Sequence, residues 1–221
     1  MPHSFPPVGE RIRAERVRLG LSARALARNV GVSASLISQI ETGRSRPSVS
    51  TLYAITKALG ISLEDVFDVP AAEETAAPVV GRLPSVAHAL AASAAAAAAG
   101  VDTHPDGLVG PRVRPDQREV LELDSGVTWE RLGRVPGVHV DFILATYAPG
   151  GTSSSTGQLM RHAGVEYGYI ISGELTLTLG FDEYTIGPGD AVSFPSTNPH
   201  SYRNDGTDPA VGVWCVFDPH G

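Results

Sequence analysis

The sequence predicts a two-domain protein of the α + β class, in which an all-α domain of five short helices precedes an all-β barrel. Three observations predict this. Apolar residues recur at helical spacing between helix-boundary residues over 8–68. Short strand-like runs separated by Gly and Pro turns fill 118–221. Residues 69–117 are rich in Ala and Pro, have neither pattern, and are expected to form a linker.

The charge distribution separates the same two parts of the chain. Residues 1–68 carry nine Lys and Arg against six Asp and Glu, a net charge of +3, whereas residues 69–221 carry eight against eighteen, a net charge of −10. The total of −7 argues against a general nucleic-acid binder. A basic first part joined to an acidic second part instead suggests a nucleic-acid module attached to another domain.

Cysteine content and hydropathy indicate the compartment. The single cysteine, Cys215, excludes an intramolecular disulfide framework. No basic segment followed by an apolar one opens the chain, so we expect no secretory signal. The long apolar stretch 86–101 is mostly alanine and is too short to span a membrane. We therefore expect a cytoplasmic protein with no membrane partner.

Each helix of the first domain has boundary signals in the sequence. The second, third and fourth helices begin after the N-cap candidates Ser22, Ser33 and Ser48. Ser62 and Asp65 form a capping box for the fifth. Glycines that permit a left-handed conformation end the first four helices, at Gly20, Gly31, Gly43 and Gly60.

The second and third helices have the spacing of a helix-turn-helix, with a tight turn at Gly31. Such a motif places the N-terminal residues of its second helix against base edges in the major groove. Gln39 suits adenine, Ser35 suits several bases, and Ala34 suits a thymine methyl group. Together with residues suited to phosphate, the predicted contacts to DNA are Arg24, Arg28, Ser33, Ala34, Ser35, Ser38, Gln39, Arg44 and Arg46.

Residues 8–67 resemble the Cro/C1 (XRE) family of DNA-binding domains through the pattern GVS-x3-IS-x2-E-x-G-x3-PS. The resemblance implies a lambda-repressor-like domain that binds a double-stranded DNA operator. One departure is Ala23, where family members often carry glutamine. Glu41 is interpreted as structural, paired with an arginine of the first helix such as Arg13, because a carboxylate would repel phosphate.

The sequence of the second domain predicts many short strands at close spacing, which is typical of an antiparallel barrel or jelly roll. Strands are predicted at 139–147, 174–179, 184–186, 191–194 and 211–217.

Three polar residues of this domain have the spacing of a metal site. His162 and Glu166 are four residues apart, so on an extended strand both point to one face. With His200 they make a set of two histidines and one carboxylate, which suits Fe(II), Mn, Ni or Zn with coordination positions left open. The alternative is a metal-free polar pocket whose residues are hydrogen-bonded to one another.

These residues lie in two segments that resemble the cupin signature motifs. The spacing Glu166-x6-Gly173 matches the first motif, with Met160 where its first histidine would stand, and the second motif matches in full from Gly189 to Asn204. The resemblance implies a jelly-roll barrel, the double-stranded β-helix, with an internal pocket. The implied ligand-binding residues are Met160, His162, Glu166, Tyr167 and His200, three of which would also hold the metal.

The whole chain resembles the XRE-cupin regulators. This implies a transcriptional regulator, not an enzyme, whose cupin domain senses a small-molecule effector and holds a homodimer. Tight binding to two half-sites needs two recognition helices. The acidic second part argues against an anionic effector. A simpler alternative is a cupin that only dimerises the DNA-binding heads.

A different class remains open, a mononuclear non-haem iron oxygenase or epoxidase carrying a helix-turn-helix domain. The His-x3-Glu pair with a later histidine is similar to the hydroxypropylphosphonate epoxidase family. The resemblance implies cations above the metal, including a lysine from the helical domain, and Lys57 is the chain's one lysine. The distinguishing feature is whether the outward residues of the third helix face DNA or the mouth of the barrel.

Overall fold

The computed structural model describes residues 8–67, 112–135 and 139–217. The first part folds into the five expected helices, α1 (Val8–Arg18), α2 (Ala23–Val30), α3 (Ala34–Glu41), α4 (Val49–Leu59) and α5 (Leu63–Phe67). The all-α prediction is confirmed, and so are the serine caps of α2, α3 and α4 and the glycine caps of α2 and α4, whereas α3 is capped by Thr42, one residue before Gly43. The hydroxyl oxygen of Ser33, for example, accepts the Leu36 N–H at 3.1 Å, and Gly31 ends α2 with φ +78°.

The back of α3 is held tightly by α1. Ile37 and Ile40 are buried in the helical core. Gly9 lies so close to α3 that a Cβ atom there would be 1.9 Å from the Ile40 carbonyl oxygen. This contact fixes the orientation of α3, because no other residue type leaves room for it.

The expected ion pair of Glu41 comes from α1, as predicted, but from a different arginine. Arg16 binds both carboxylate oxygens of Glu41, with N···O distances of 2.5 and 2.8 Å, and donates to the Leu21 carbonyl at 2.7 Å. The prediction of Arg13 was wrong because Arg13 is exposed, whereas Arg16 lies one turn after the buried Ile12 and shares its face. The hydrogen bond to Glu41 raises the pKa of Arg16.

The second part forms two antiparallel sheets that face each other, which confirms the jelly-roll prediction. The strands are β1 (Val120–Glu122), β2 (Val127–Gly133), β3 (Val140–Tyr147), β4 (Val165–Ser172), β5 (Leu175–Leu179), β6 (Asp182–Ile186), β7 (Ala191–Pro195), β8 (His200–Arg203) and β9 (Ala210–Phe217). One sheet has the order β1-β2-β3-β9-β4-β7 and the other β6-β5-β8. All five predicted strands are present, while the other four, β1, β2, β4 and β8, were not assigned from sequence.

Of the predicted linker, residues 69–111 lie outside the described residues, so its boundaries stay a prediction. Its last residues contain a 3₁₀ turn at Pro115–Gln117. None of the helices in the described part of the chain has the length and apolar character needed to cross a bilayer.

The two domains contact each other directly through the segment before α4 and through α4 itself. The Ser50 N–H donates to the Ser153 carbonyl at 3.0 Å, and the Asp124 N–H donates to the Pro47 carbonyl at 2.9 Å. Arg46 forms an ion pair with Glu122 of β1. The helical domain is therefore seated on the barrel by α4, independently of the linker.

Candidate metal centre and DNA-binding surface

Three side chains from different parts of the barrel meet inside it. Nε2 of His162 lies 3.5 Å, and Nε2 of His200 3.2 Å, from one carboxylate oxygen of Glu166. All three ligand atoms lie within 4.8 Å of one another, and the side chains are almost completely buried. The structure thus brings together the predicted set of His162, Glu166 and His200, here called the triad.

The hydrogen bonds of the two histidines leave their Nε2 atoms facing the carboxylate. His200 Nδ1 lies 2.8 Å from the Asn198 carbonyl oxygen, and His162 Nδ1 lies 3.1 Å from that of Ala163. Since a carbonyl can only accept, each Nδ1 carries a proton, and Nε2 is the nitrogen of each ring that faces Glu166. Both Nε2 atoms are buried without a hydrogen-bond partner in the described structure. Two imidazole nitrogens and a carboxylate oxygen within 4.8 Å of one another are the donor set that a divalent cation takes, so the residues present fit a metal site.

His162 lies beside Glu166, but the predicted strand geometry that was to bring it there is wrong. His162 is not on a strand, because β4 begins only at Val165 after a bend in which Gly164 has φ +95°. Strand alternation therefore does not bring His162 to the face of Glu166. The bend does, and the His162 N–H anchors it by donating to the Ser196 carbonyl at 3.1 Å.

Glu166 remains ionised inside the barrel. Burial by itself raises the pKa of Glu166, but its contacts with the two histidines outweigh burial and lower the pKa to about 2. The Tyr202 hydroxyl donates to the other carboxylate oxygen at 2.8 Å. Burial is the main cause that raises the pKa of Tyr202 well above its ordinary value, and the negative charge of Glu166 adds to it. The Tyr202 hydroxyl therefore keeps its proton and donates it to Glu166.

A small cavity of about 20 Å³ adjoins Glu166, which is room for roughly one water molecule. Met160 lies in its wall, paired through its backbone with His200, and Trp129 and Trp214 line it as well. Met160 therefore faces the interior, and its role in ligand binding stays a prediction. Its thioether is a soft donor, poorly matched to the harder ions that the triad suits.

Tyr167 does not face this interior, contrary to prediction. It follows the inward-facing Glu166 on β4, so strand alternation turns its side chain to the outer surface, where it is 53 % exposed.

A larger cleft of about 780 Å³ separates α4 and α5 from the barrel and reaches the triad at His162. Tyr53 of α4 stacks on His162 with ring centroids 4.2 Å apart and only 3° between the planes. Lys57 lines the helical side of the cleft and Arg161 the barrel side. The helical domain thus forms one wall of the cavity above the triad.

The predicted DNA-contacting residues lie on a separate, open surface. Ser35, Ser38 and Gln39 are exposed along α3, while Ile37 and Ile40 on the other side of the helix are buried. Arg24, Arg28 and Arg44 are exposed on α2 and after α3. The outward residues of α3 therefore face solvent, and α4 rather than α3 covers the mouth of the barrel.

Comparisons with known proteins match both halves of this architecture. A helix-turn-helix family model matches residues 12–66, and a cupin domain model matches residues 143–216. Over 214 residues the chain is 28% identical to the HTH-type transcriptional regulator PuuR of Escherichia coli (strain K12), an alignment that covers 96% of this chain and 93% of that protein. The chain is a helix-turn-helix transcriptional regulator with a cupin domain.

A solved structure shows the same fold. An HTH_3 family transcriptional regulator from Vibrio cholerae superposes on the regulator with a TM-score of 0.59 at 20% identity, covering 97% of this chain and 96% of that one. The hydroxypropylphosphonic acid epoxidase from S. wedmorenis reaches a TM-score of only 0.42 at 18% identity, covering 96% of this chain and 97% of that one. The latter likeness is too remote to carry an argument about chemistry.

Two tyrosines of the regulator's site were not found from sequence. Tyr202 could have been, because it lies two residues after His200 on β8 and so shares its face. Tyr53 carried no such signal. Its role depends on the seating of α4 on the barrel, which no local pattern encodes.

Proposed function

We propose that the regulator binds operator DNA as a homodimer and senses a small molecule in the cleft between α4 and the barrel, with a divalent metal held by the triad. One observation carries this proposal. Tyr53 stacks on a residue of the triad, while α3 of the same helical domain presents exposed side chains suited to DNA. A ligand at the triad therefore lies next to the helical domain whose position it would have to change. Because the target is genomic DNA, we place the regulator in the cytoplasm.

On the DNA side, we assign base contacts to Ala34, Ser35, Ser38 and Gln39 of α3, of which Ala34 is partly buried and the other three are exposed. The hydroxyl oxygen of Ser33 caps α3, which leaves its proton free to donate to phosphate. Among the predicted phosphate contacts, Arg24, Arg28 and Arg44 are exposed, whereas Arg46 is held by Glu122.

In the barrel, we assign a divalent ion, Fe(II), Mn, Ni or Zn, to the triad. Such an ion, when bound, supplies an electrophilic centre with open positions for oxygen or nitrogen donors of an effector. The chain's own residues position it. The Asn198 and Ala163 carbonyls hold the histidine rings, and the Tyr202 hydroxyl holds Glu166.

The cleft is suited to an effector with an acidic group. Lys57 and Arg161 line it from the two domains, and within the described structure neither forms an ion pair. Two carboxylates also line the cleft: Asp65 accepts from the Ser62 N–H and hydroxyl, each at 2.8 Å, and Asp141 is likewise not free. These local charges lie closer to a bound ligand than the general acidity of the barrel half, so we propose an acidic effector in place of the sequence-based expectation. An effector held by both cations favours one arrangement of the two domains.

DNA binding is tested with DNA from the region upstream of the regulator's own gene, at about 150 mM salt with excess competitor DNA. The variant Ser35→Ala, Gln39→Ala is compared with a matched control on the barrel, Ser155→Ala, Gln158→Ala, where both residues are also exposed. We expect the α3 variant to bind about 10–100-fold more weakly and the control to bind as wild type. Specific binding that is equal in all three proteins would overturn the assignment of α3.

Sensing is tested by the same binding assay after chelation and after addition of each divalent ion. We expect operator affinity to change with the ion in wild type and to be constant in His200→Ala. An identical response in the two proteins would leave the cupin as a dimerisation module only.

A second candidate function, a mononuclear iron oxygenase, is favoured by the presence of Tyr53 and Lys57 in the wall above the triad. We propose regulation rather than catalysis because α3 remains exposed, which an enzyme does not need. Iron-dependent oxygen consumption without specific DNA binding would reverse this choice.

A further inference from the structure

The six-stranded sheet has a side that faces away from the triad, and its central strands carry an unusual row of side chains there. Phe142 on β3, Cys215 on β9 and Tyr167 on β4 are directly opposite one another in the register. None of the three is charged, and Phe142 and Tyr167 are 41 % and 53 % exposed.

The two neighbouring rows of side chains are also uncharged. They consist of apolar and aromatic residues in register across β3, β9 and β4, namely Leu144, Val213 and Tyr169 on one side and Val140, Phe217 and Val165 on the other. Across these three strands, the nine positions form a continuous surface without a charged side chain, here called the outer sheet face.

The size of this surface is that of the uncharged centre of an interface, about which a polar rim would supply the remaining area. Phe142, Tyr167, Tyr169 and Phe217 are each about half exposed, and aromatic side chains bury roughly 150–250 Å² each. The four rings with the smaller residues between them therefore present on the order of 500 Å² of contiguous, mostly apolar area. A typical stable interface covers about 800 Å² per partner, with an uncharged centre rich in Tyr and Phe and a polar rim.

We propose that the outer sheet face is the surface through which two copies of this chain associate. The proposal rests on the homodimer of the proposed function and names its interface. A second copy fits because the same uncharged face on both partners is self-complementary about a two-fold axis. The segment 69–117 fits less well, since it contains no aromatic residue to fill such a surface.

The test is the molar mass of the full chain in solution, measured by light scattering or sedimentation at about 10 µM. The variant Tyr167→Glu, Tyr169→Glu adds two charges to each copy of the face. The control Tyr184→Glu adds a charge at an equally exposed tyrosine of β6 in the other sheet. We expect wild type and control to have twice the mass of the 23.1 kDa chain, and the double variant to dissociate at least about 100-fold more readily.

The outcomes separate the interface from the dimer itself. A dimeric wild type with an equally dimeric double variant overturns the outer sheet face and leaves the homodimer standing. A monomeric wild type overturns both. Equal loss of mass in the double variant and the β6 control also overturns the assignment, because the effect would not be specific to this face.

If the double variant does not fold, a second measurement on the wild-type protein tests the same interface. Cys215, the single cysteine, lies in the central row, so its reaction with a thiol reagent reports whether the face is covered. We expect the reaction to accelerate several-fold when wild type is diluted from dimer to monomer. A rate that is independent of dilution across the dissociation range would overturn the proposal.

Discussion

The rings of Tyr53 and His162 lie face to face, 4.2 Å apart and within 3° of parallel, although one belongs to a helix of the DNA-binding domain and the other to the interior of the barrel. Tyr53 also meets Trp129 edge-on, with ring centroids 5.9 Å apart. A single side chain of α4 therefore contacts both the triad and the apolar wall beside it. A rotation of the His162 ring would therefore displace the Tyr53 ring, and with it α4, because closely packed aromatic rings leave no room for one to move without the other.

Removing this ring should loosen the helical domain from the barrel. We expect Tyr53→Ala to lower the free energy of unfolding of the helical domain by about 2 kcal/mol, since a half-buried ring and its stacking partner are lost. Circular dichroism of the helices and Trp fluorescence of the barrel, followed in urea, should then give separate transitions where wild type gives one. Tyr53→Phe keeps the ring and should behave as wild type. Coincident transitions in Tyr53→Ala would mean that the ring does not connect the domains.

Removing one member of the triad should abolish tight metal binding. We expect His200→Ala to bind Zn²⁺ or Fe(II) at least about 100-fold more weakly, because a two-ligand site remains. Metal content after dialysis and titration calorimetry measure this. Met160→Leu is the control, since it keeps the volume of the cavity wall and should retain the metal. Equal metal content in His200→Ala and wild type would place any metal elsewhere.

Acid should destabilise the metal-free protein through Glu166. Its pKa is about 2 in the folded protein against an ordinary value of 4.5, so its carboxylate stabilises the fold above about pH 4.5, and this contribution is lost as the pH falls from 4.5 towards 2. The full loss is about 3 kcal/mol. Urea unfolding between pH 6 and 3 in a chelator should show a steeper decline in stability for wild type than for Glu166→Gln. The exposed Glu174→Gln should follow the wild-type curve, and parallel curves for all three would contradict the buried, ionised Glu166.

Removing only one partner of the buried ion pair between Arg16 and Glu41 should lower the stability of the helical domain. Arg16→Met leaves the Glu41 carboxylate buried without its partner, so we expect the helical domain to lose about 3 kcal/mol. Replacing both residues, Arg16→Met with Glu41→Leu, should restore most of this. Arg18→Met removes an exposed arginine paired with Glu15 and should change stability by less than about 1 kcal/mol. Thermal and urea unfolding followed at the helical signal would contradict the role of this pair if the two single variants behaved alike.

Arg46 should become a phosphate contact when its partner is removed. In the structure it pairs with Glu122, so Glu122→Gln releases one cation next to the DNA-binding surface. We expect stronger DNA binding at low salt and a salt dependence steeper by about one unit in a plot of log affinity against log salt. Glu183→Gln removes one carboxylate beside Arg203 on the far sheet, where Asp205 still pairs with this arginine, and should leave both quantities unchanged. An unchanged slope for Glu122→Gln would mean that Arg46 does not reach DNA.

Local signals in the sequence determined much of this protein. Serine caps and left-handed glycines act within a few residues, so Ser33 and Gly31 predicted the ends of the helices beside the recognition surface. The buried and exposed faces of α3 followed from its 3.6-residue period. The triad could be predicted because the spacing of its residues is similar to known motifs.

Only the tertiary structure decided the contacts between segments that are distant in the chain. Which arginine reaches Glu41 depended on the face that α1 buries, and His162 reaches Glu166 through a bend that strand alternation does not describe. The exposed apolar face required β9 to pair between β3 and β4, and the stacking of Tyr53 on His162 required α4 to seat on the barrel. These arrangements come from packing over the whole molecule, which the order of residues along one segment does not contain.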